Sequence, residues 1–126
     1  MAIKNKIKNN KWNSKRMRLK YHLKRKNVKG YPRLIVFRSN NNIFAQLVDD
    51  NNHKTIMSVS SIDMELKDSV SKAKSKIEKS TIVGQCIAEK MRNEKIDQII
   101  FDRNGYKYHG RIKAVGDAIR NAKIKI

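Results

Sequence analysis

The chain has 126 residues and carries 30 Lys and Arg against 11 Asp and Glu, a formal net charge of +19. That length gives one ordinary domain and excludes a large enzyme with a separate substrate domain, while a field so one-sided repels itself and asks for a polyanionic partner. A single cysteine, Cys86, excludes an intramolecular disulfide, no Cys/His grouping has zinc-ligand spacing, and no apolar run is long enough for a secretory signal or a membrane span.

The charge is segregated. Residues 1–38 hold 14 basic side chains and no carboxylate, whereas the remaining 88 residues hold 16 basic and 11 acidic ones. Within that opening segment Lys4, Lys6, Lys8, Lys11, Lys15, Arg16, Arg18, Lys20, Lys24, Arg25, Lys26 and Lys29 are interleaved with Trp12, Tyr21 and Tyr31. A charge run alone is most often a solvated face, but flat rings among the cations can stack on bases or riboses, which solubility does not require. Ile3 and Ile7, Met17 and Tyr21, and Leu19 and Leu23 lie four apart, a thin helical stripe. Like charges three and four apart disfavour that helix in isolation, and phosphates between them reverse the effect, so residues 1–32 are expected to be a basic arm that is flexible, or helical when bound.

"KGYP" at 29–32 is a breaker, with Gly30 followed by the chain's one proline, Pro32. The folded domain is therefore expected over 33–126. "RLIVFRS" (33–39), "NIFAQLVD" (42–49) and "KTIMSVS" (54–60) read as three short strands joined by "SNNN" and "DDNNH" turns, an antiparallel meander. In the second strand Ile43, Ala45 and Leu47 share one face and Phe44, Gln46 and Val48 the other, so one side is core and the other mixed. A helix is expected within 72–93, where Val83, Ile87 and Met91 lie at four-residue steps beside Cys86 and Ala88, with Gly84 allowing close approach. "DQIIF" (97–101) reads as a fourth strand, and "RIKAVGDAIRNA" (111–122) as a last amphipathic helix with Ile112, Val115, Ile119 and Ala122 on one stripe. The fold class is thus α/β: a three-strand antiparallel meander extended to a mixed sheet by a later strand, packed by two helices on one face, with a basic N-terminal arm.

The densest chemistry is "FDRNGYKYHGR" at 101–111. Asp102, Arg103 and His109 could serve general acid–base work, but no nucleophile accompanies them and Cys86 belongs to an apolar stripe, so no catalytic residue is assigned. His22, His53 and His109 lie far apart without further ligands, and no glycine-rich phosphate loop is present, so no metal and no cofactor is expected. Asp49 and Asp50 read as a polar hairpin end, and Asp63, Glu65 and Asp68 as a solvated face or a helix start. Arg103, Tyr106, Tyr108, His109 and Arg111 precede a helix whose first N–H groups are free, a place where phosphate binds well, with Arg111 the foremost candidate. The purely architectural alternative has Gly105 and Gly110 forming a tight connection, Asp102 paired with Arg103 or Arg111, and the tyrosines packed. The two roles are compatible. Charge alone does not separate DNA from RNA, although no helix-turn-helix or zinc-finger spacing is present.

"FDRNGYKYHGRIKAVGDAIRNA" resembles the C-terminal signature of the bacterial L18 family of large-subunit ribosomal proteins, in which Asp-Arg, Gly and Tyr-His-Gly-Arg lead into an Ala-rich last helix. "RLIVFRSNNNIFAQLVDD" is similar to that family's first hairpin and "VGQCIAEK" to the middle of its long helix, so the likeness spans the chain in order and spacing. The resemblance implies a non-enzymatic RNA-binding protein of the central protuberance that holds 5S ribosomal RNA and helps attach it to the large-subunit RNA. It implies neighbouring large-subunit proteins as further partners, no membrane, a monomer within the ribosome, and a cytoplasmic location with an organellar ribosome left open. It places the arm cations from Lys4 to Lys29, then Arg33, Arg38, Ser39 and Asn40, against RNA, and matches Tyr108, His109, Gly110 and Arg111 to the signature block. The chain departs from the family at Asn42 and Phe44, where His and Tyr are frequent, and at Asn104, Lys95 and Lys123, where Gly is usual. Without those glycines, Lys95 or its neighbours must adopt helix-ending geometry at some cost. Two readings stand beside this one: a DNA-compacting nucleoid protein, permitted by charge alone, and an enzyme acting on RNA through His109 and Asp102.

Overall fold

The computed structural model describes residues 13–23 and 30–126. Residues 13–23 form a helix, α1, along the Met17/Tyr21 and Leu19/Leu23 stripes. The meander follows as β1 (Arg33–Arg38), β2 (Ile43–Asp49) and β3 (Lys54–Ser60), then a 3-10 turn at Met64–Leu66, α2 (Lys67–Ser71), α3 (Lys76–Asn93), β4 (Ile100–Asp102) and α4 (Gly110–Asn121). The sheet order is β3-β2-β1-β4, antiparallel through the meander and parallel between β1 and β4. This is the mixed sheet expected from the sequence.

Strand alternation decides which side chains enter the core. Leu34 and Val36 of β1, Ile43, Ala45 and Leu47 of β2, and Val59 of β3 are buried on one face, against Val83, Ile87 and Met91 of α3 and Ile112, Val115 and Ile119 of α4. Burying each such side chain stabilises the fold by roughly 1.5–3 kcal/mol before chain entropy is counted. The two helices approach closely at Gly84, where an added Cβ would lie 2.8 Å from the Cβ of Ala118 and 2.9 Å from the carbonyl oxygen of Val115.

The long helix lies within the expected span and the acidic stretch includes a helix start, as one of its two readings had it; the fourth strand differs in its bounds. The long helix starts at Lys76 because Ser75 caps it, its hydroxyl accepting from the Glu78 N–H at 3.1 Å while the Glu78 carboxylate accepts from the Lys74 N–H at 2.6 Å. The acidic stretch before it is partly helical, with Glu65 in the 3-10 turn and Asp68 in α2. The fourth strand is shifted towards the carboxyl end and includes Asp102, which pairs with Ile35 in the parallel ladder.

The first long helix ends as the missing glycine at 95 demands, and the last helix ends in the same way. After α3 the Ile96 N–H reaches the Met91 carbonyl at 2.8 Å and the Lys95 N–H the Arg92 carbonyl at 3.0 Å; after α4 the Ile124 N–H reaches Ile119 at 3.4 Å and the Lys123 N–H Arg120 at 2.9 Å. These are paired Schellman closures, and Lys95 and Lys123 occupy the left-handed position in them, with φ of 61° and 66°. Ile124 is buried and Ile96 packs against the core, so a hydrophobic contact holds each closure despite the strain.

Candidate nucleic-acid interface

Because β1 and β4 are parallel, both leave the sheet at the same end. Beyond them lie the β1–β2 turn and the 103–109 loop that leads into α4. In open α/β sheets, the carboxyl ends of the strands are where ligands are met. The turn is closed by Ser39, whose N–H donates to the Asn42 carbonyl at 2.9 Å and whose hydroxyl accepts the Asn42 N–H at 3.2 Å. Asn42 in turn accepts from the Ser61 hydroxyl at 2.9 Å, which pins the turn to the residue after β3.

Cations gather around this turn. Arg38 is exposed, its guanidinium carbon 4.8 Å from the centre of the Tyr106 ring, a cation–π contact that orients the group without neutralising it. Arg111 Nη1 donates to the Ser39 carbonyl oxygen at 2.6 Å and so ties the start of α4 to the turn. A guanidinium carries five N–H donors, which leaves capacity for a phosphate. Arg103 Nη1 donates to the Tyr106 carbonyl at 3.3 Å and braces the loop. Ser39, Asn40, Lys107 and His109 are exposed. α4 starts at Gly110, with φ of 57°; its N-cap, His109, makes no side-chain capping bond, and the first turn has no acid. A helix start without a side-chain cap, beside Arg111, is a favourable setting for an anion.

Asp102 turns the other way. The sequence suggested a partner in Arg103 or Arg111, but its Oδ2 accepts from Arg33 Nη1 at 2.7 Å and its Oδ1 from the Asn104 N–H at 2.8 Å, all within the interior. The ladder explains the correction: Arg33 and Asp102 project from adjacent strands on the same face, one diagonal step apart, while alternation sends Arg103 elsewhere. Arg33, expected to face RNA, is 6% exposed and also donates from Nε and Nη2 to Asp50 at 3.0 and 3.1 Å. Its charge is used inside the fold. The acid–base pair imagined for Asp102 and His109 is absent as well, since the carboxylate is already shared between Arg33 and Asn104.

Tyr108 packs rather than projects. Its ring meets Phe101 edge-on at 5.7 Å, Arg120 lies 5.5 Å from its centre, and a Cβ at Gly116 would overlap its hydroxyl. Burial pushes that hydroxyl's pKa up. Burial likewise raises the Cys86 thiol, and the hydrogen bond from Lys90 to Glu65 raises the Lys90 ammonium. At the β2–β3 turn the Asn52 side chain donates to Asp49 at 2.7 Å and lowers that carboxyl, as fits a polar hairpin end. Among the described residues no group of His, Cys, Asp and Glu could hold a metal ion, and no helix is long and apolar enough to cross a membrane.

In α1, Lys15, Arg18 and Tyr21 are exposed, Arg16 and Lys20 are half-buried, and Tyr21 meets His22 edge-on at 6.2 Å. Tyr31 is half-buried. The sites expected at Lys4, Lys6, Lys8, Lys11, Trp12, Lys24, Arg25, Lys26 and Lys29 lie outside the described residues. Two loop residues already visible in the sequence have roles there that it did not reveal: Tyr106 carries Arg38, and Asn104 is buried with φ of 56°. Asn directly before Gly after a strand was the available signal for the latter, since Asn tolerates that backbone better than most residues.

The family model described as ribosomal L18 of archaea, bacteria, mitochondria and chloroplasts matches residues 6–126. The large ribosomal subunit protein uL18 of Fusobacterium nucleatum is 54% identical over 91 residues, covering 72% of this chain and 74% of that protein. The uL18 proteins of Finegoldia magna and Ruminiclostridium cellulolyticum are 45% and 44% identical over 112 and 117 residues, covering 86% and 90% of this chain and 91% and 95% of theirs.

Proposed function

We propose that this chain, which belongs to the ribosomal L18 family and is a structural, non-enzymatic component of the large ribosomal subunit, binds 5S ribosomal RNA and helps attach it to the large-subunit RNA in the central protuberance. The observation that carries RNA contact is the gathering of Arg38, Arg103 and Arg111 around the β1–β2 turn and the uncapped start of α4, while Asp102, on the strand that leads into this loop, is turned inward onto Arg33. The field leaving this end is therefore positive. The choice of 5S RNA rests on the family likeness of the three motif blocks. The bacterial origin of the relatives favours a cytoplasmic ribosome over an organellar one.

The mechanism has two parts. The domain docks by shape through Arg38, Ser39, Asn40, Arg103, His109, Gly110 and Arg111, and the cationic arm condenses on phosphates with release of counterions. Trp12, Tyr21 and Tyr31 supply rings for stacking. Neighbouring ribosomal proteins and large-subunit RNA complete the site.

The test is a titration of the full chain, and of a chain starting at Tyr31, against 5S RNA, a scrambled RNA of equal length and a DNA duplex across a salt series. Preference for 5S RNA by the full chain, with some preference and a shallower salt slope in the shortened one, supports the reading. Equal binding to all three ligands, lost together as salt rises, refutes specific 5S recognition by this chain and favours non-specific compaction of nucleic acid.

A further inference from the structure

The proposed RNA binding uses the arm's charge but does not by itself fix how the arm lies on the domain. A helix with cations on opposite faces, Arg16 and Lys20 against Lys15 and Arg18, has little electrostatic reason to settle in one orientation. The structure supplies one. Arg16 is half-buried between exposed Lys15 and exposed Met17 and Arg18, and its Nε donates to Asn104 Oδ1 at 3.0 Å.

Asn104 is held firmly enough to act as an anchor. It is 1% exposed, and its own N–H donates to Asp102 Oδ1 at 2.8 Å. The other Asp102 oxygen accepts from Arg33 at 2.7 Å, and Arg33 reaches Asp50 with two further donors. A continuous run of polar contacts therefore leads from α1 through β4 and β1 to the β2–β3 turn. Position 104 has φ of 56°, a backbone in which a side chain is tolerated only at a cost, yet it carries one.

We propose that Asn104 is a positioning residue for RNA binding: its side-chain oxygen latches Arg16 and sets the orientation of α1 on the domain before RNA arrives. Lys15, Arg18 and Tyr21 are then presented together on the outward side, so less orientational freedom is lost on binding. This deepens the 5S-binding reading and rests on it.

The experiment uses the full chain and Asn104→Gly, in which glycine adopts the same backbone without a side chain. Amide hydrogen exchange is read over residues 13–23 and 33–126, and affinity for 5S RNA is read across salt. Exchange over 13–23 is expected to accelerate about three- to tenfold with the domain unchanged, the size expected for a partly exposed hydrogen bond to a charged group. RNA affinity is expected to fall by a similar factor with an unchanged salt slope, because no charge is removed. Unchanged exchange over 13–23 overturns the latch, and so does faster exchange with unchanged affinity.

If Asn104→Gly does not fold, Arg16→Met removes every donor at that position while keeping an unbranched side chain; exchange over 13–23 equal to that of the parent then overturns the proposal. Should the parent show no preference for 5S RNA, the functional reading fails while the exchange comparison still decides whether the latch exists.

Discussion

Strand β1 carries an arginine at each end, and the two have opposite surroundings. Arg33 is buried, with Asp50 at 3.0 Å and Asp102 at 2.7 Å; Arg38 is exposed, with the Tyr106 ring beneath it. Nothing in the residue type separates them. The difference is the supply of carboxylates: the β2–β3 turn brings Asp50 to Arg33, and Asp102 of β4 projects onto it from the same face of the sheet, while Arg38 meets a turn of Ser and Asn and a helix start without acid. Desolvating a guanidinium costs several kcal/mol unless carboxylates and hydrogen bonds offset it, so only the first end can enclose one. Charge counted along a chain is thus no guide to charge available at a surface.

The largest effect is expected at the buried end. Asp102→Ala leaves Arg33 enclosed with Asp50 alone and frees the Asn104 N–H, and it should lower unfolding stability by about 3 kcal/mol in a denaturant titration. A loss under about 1 kcal/mol would mean that the two ends do not differ as described.

At the exposed end the readout changes from stability to binding. Arg38→Ala should weaken 5S RNA binding about three- to tenfold and reduce the salt slope by about one, while unfolding stability changes by less than about 1 kcal/mol. Arg111→Ala should behave similarly, with a further small loss of stability from the Ser39 contact. A denaturation effect as large as that of Asp102→Ala with unchanged binding would reverse the assignment.

Two smaller tests lie away from both ends. Lys95→Gly relieves the left-handed backbone after α3 and should stabilise the domain by about 0.5–1 kcal/mol, leaving RNA binding within twofold once the lost lysine charge is allowed for by the salt series. Burial raises the Cys86 pKa, so the folded protein holds that proton to higher pH than the unfolded chain. Alkylation of native Cys86 should therefore be slower than that of the unfolded chain near pH 8 and should rise with pH, a trend to be followed by mass spectrometry. The stability linked to this group is present below the unfolded thiol's pKa and declines as pH rises towards the folded one.

Much of the fold is legible in the chain because its signals are local. Alternation in "IFAQLVD" places Ile43, Ala45 and Leu47 in the core, and four-residue steps place Val83, Ile87 and Met91 there. The start of α3 was equally local, in Ser75 and Glu78, yet apolar periodicity alone overlooks a cap. The candidate site was visible as a segment, 103–111, and as a hairpin turn, but not as a set of contacts.

By itself the sequence determined the sheet-and-helix layout, the separation of a carboxylate-free arm from a mixed-charge domain, and the identity of the signature loop, because periodicity, turn residues and charge density act over a few neighbouring positions. Only the tertiary structure decided that Asp102 faces Arg33 rather than Arg103 or Arg111, that Arg33 is enclosed while Arg38 is offered, and that Asn104 receives Arg16 from 88 positions away in the chain. Ion pairs and hydrogen bonds depend on distances of about 3 Å between atoms, and such distances between remote residues exist only once strand register and helix packing have been set.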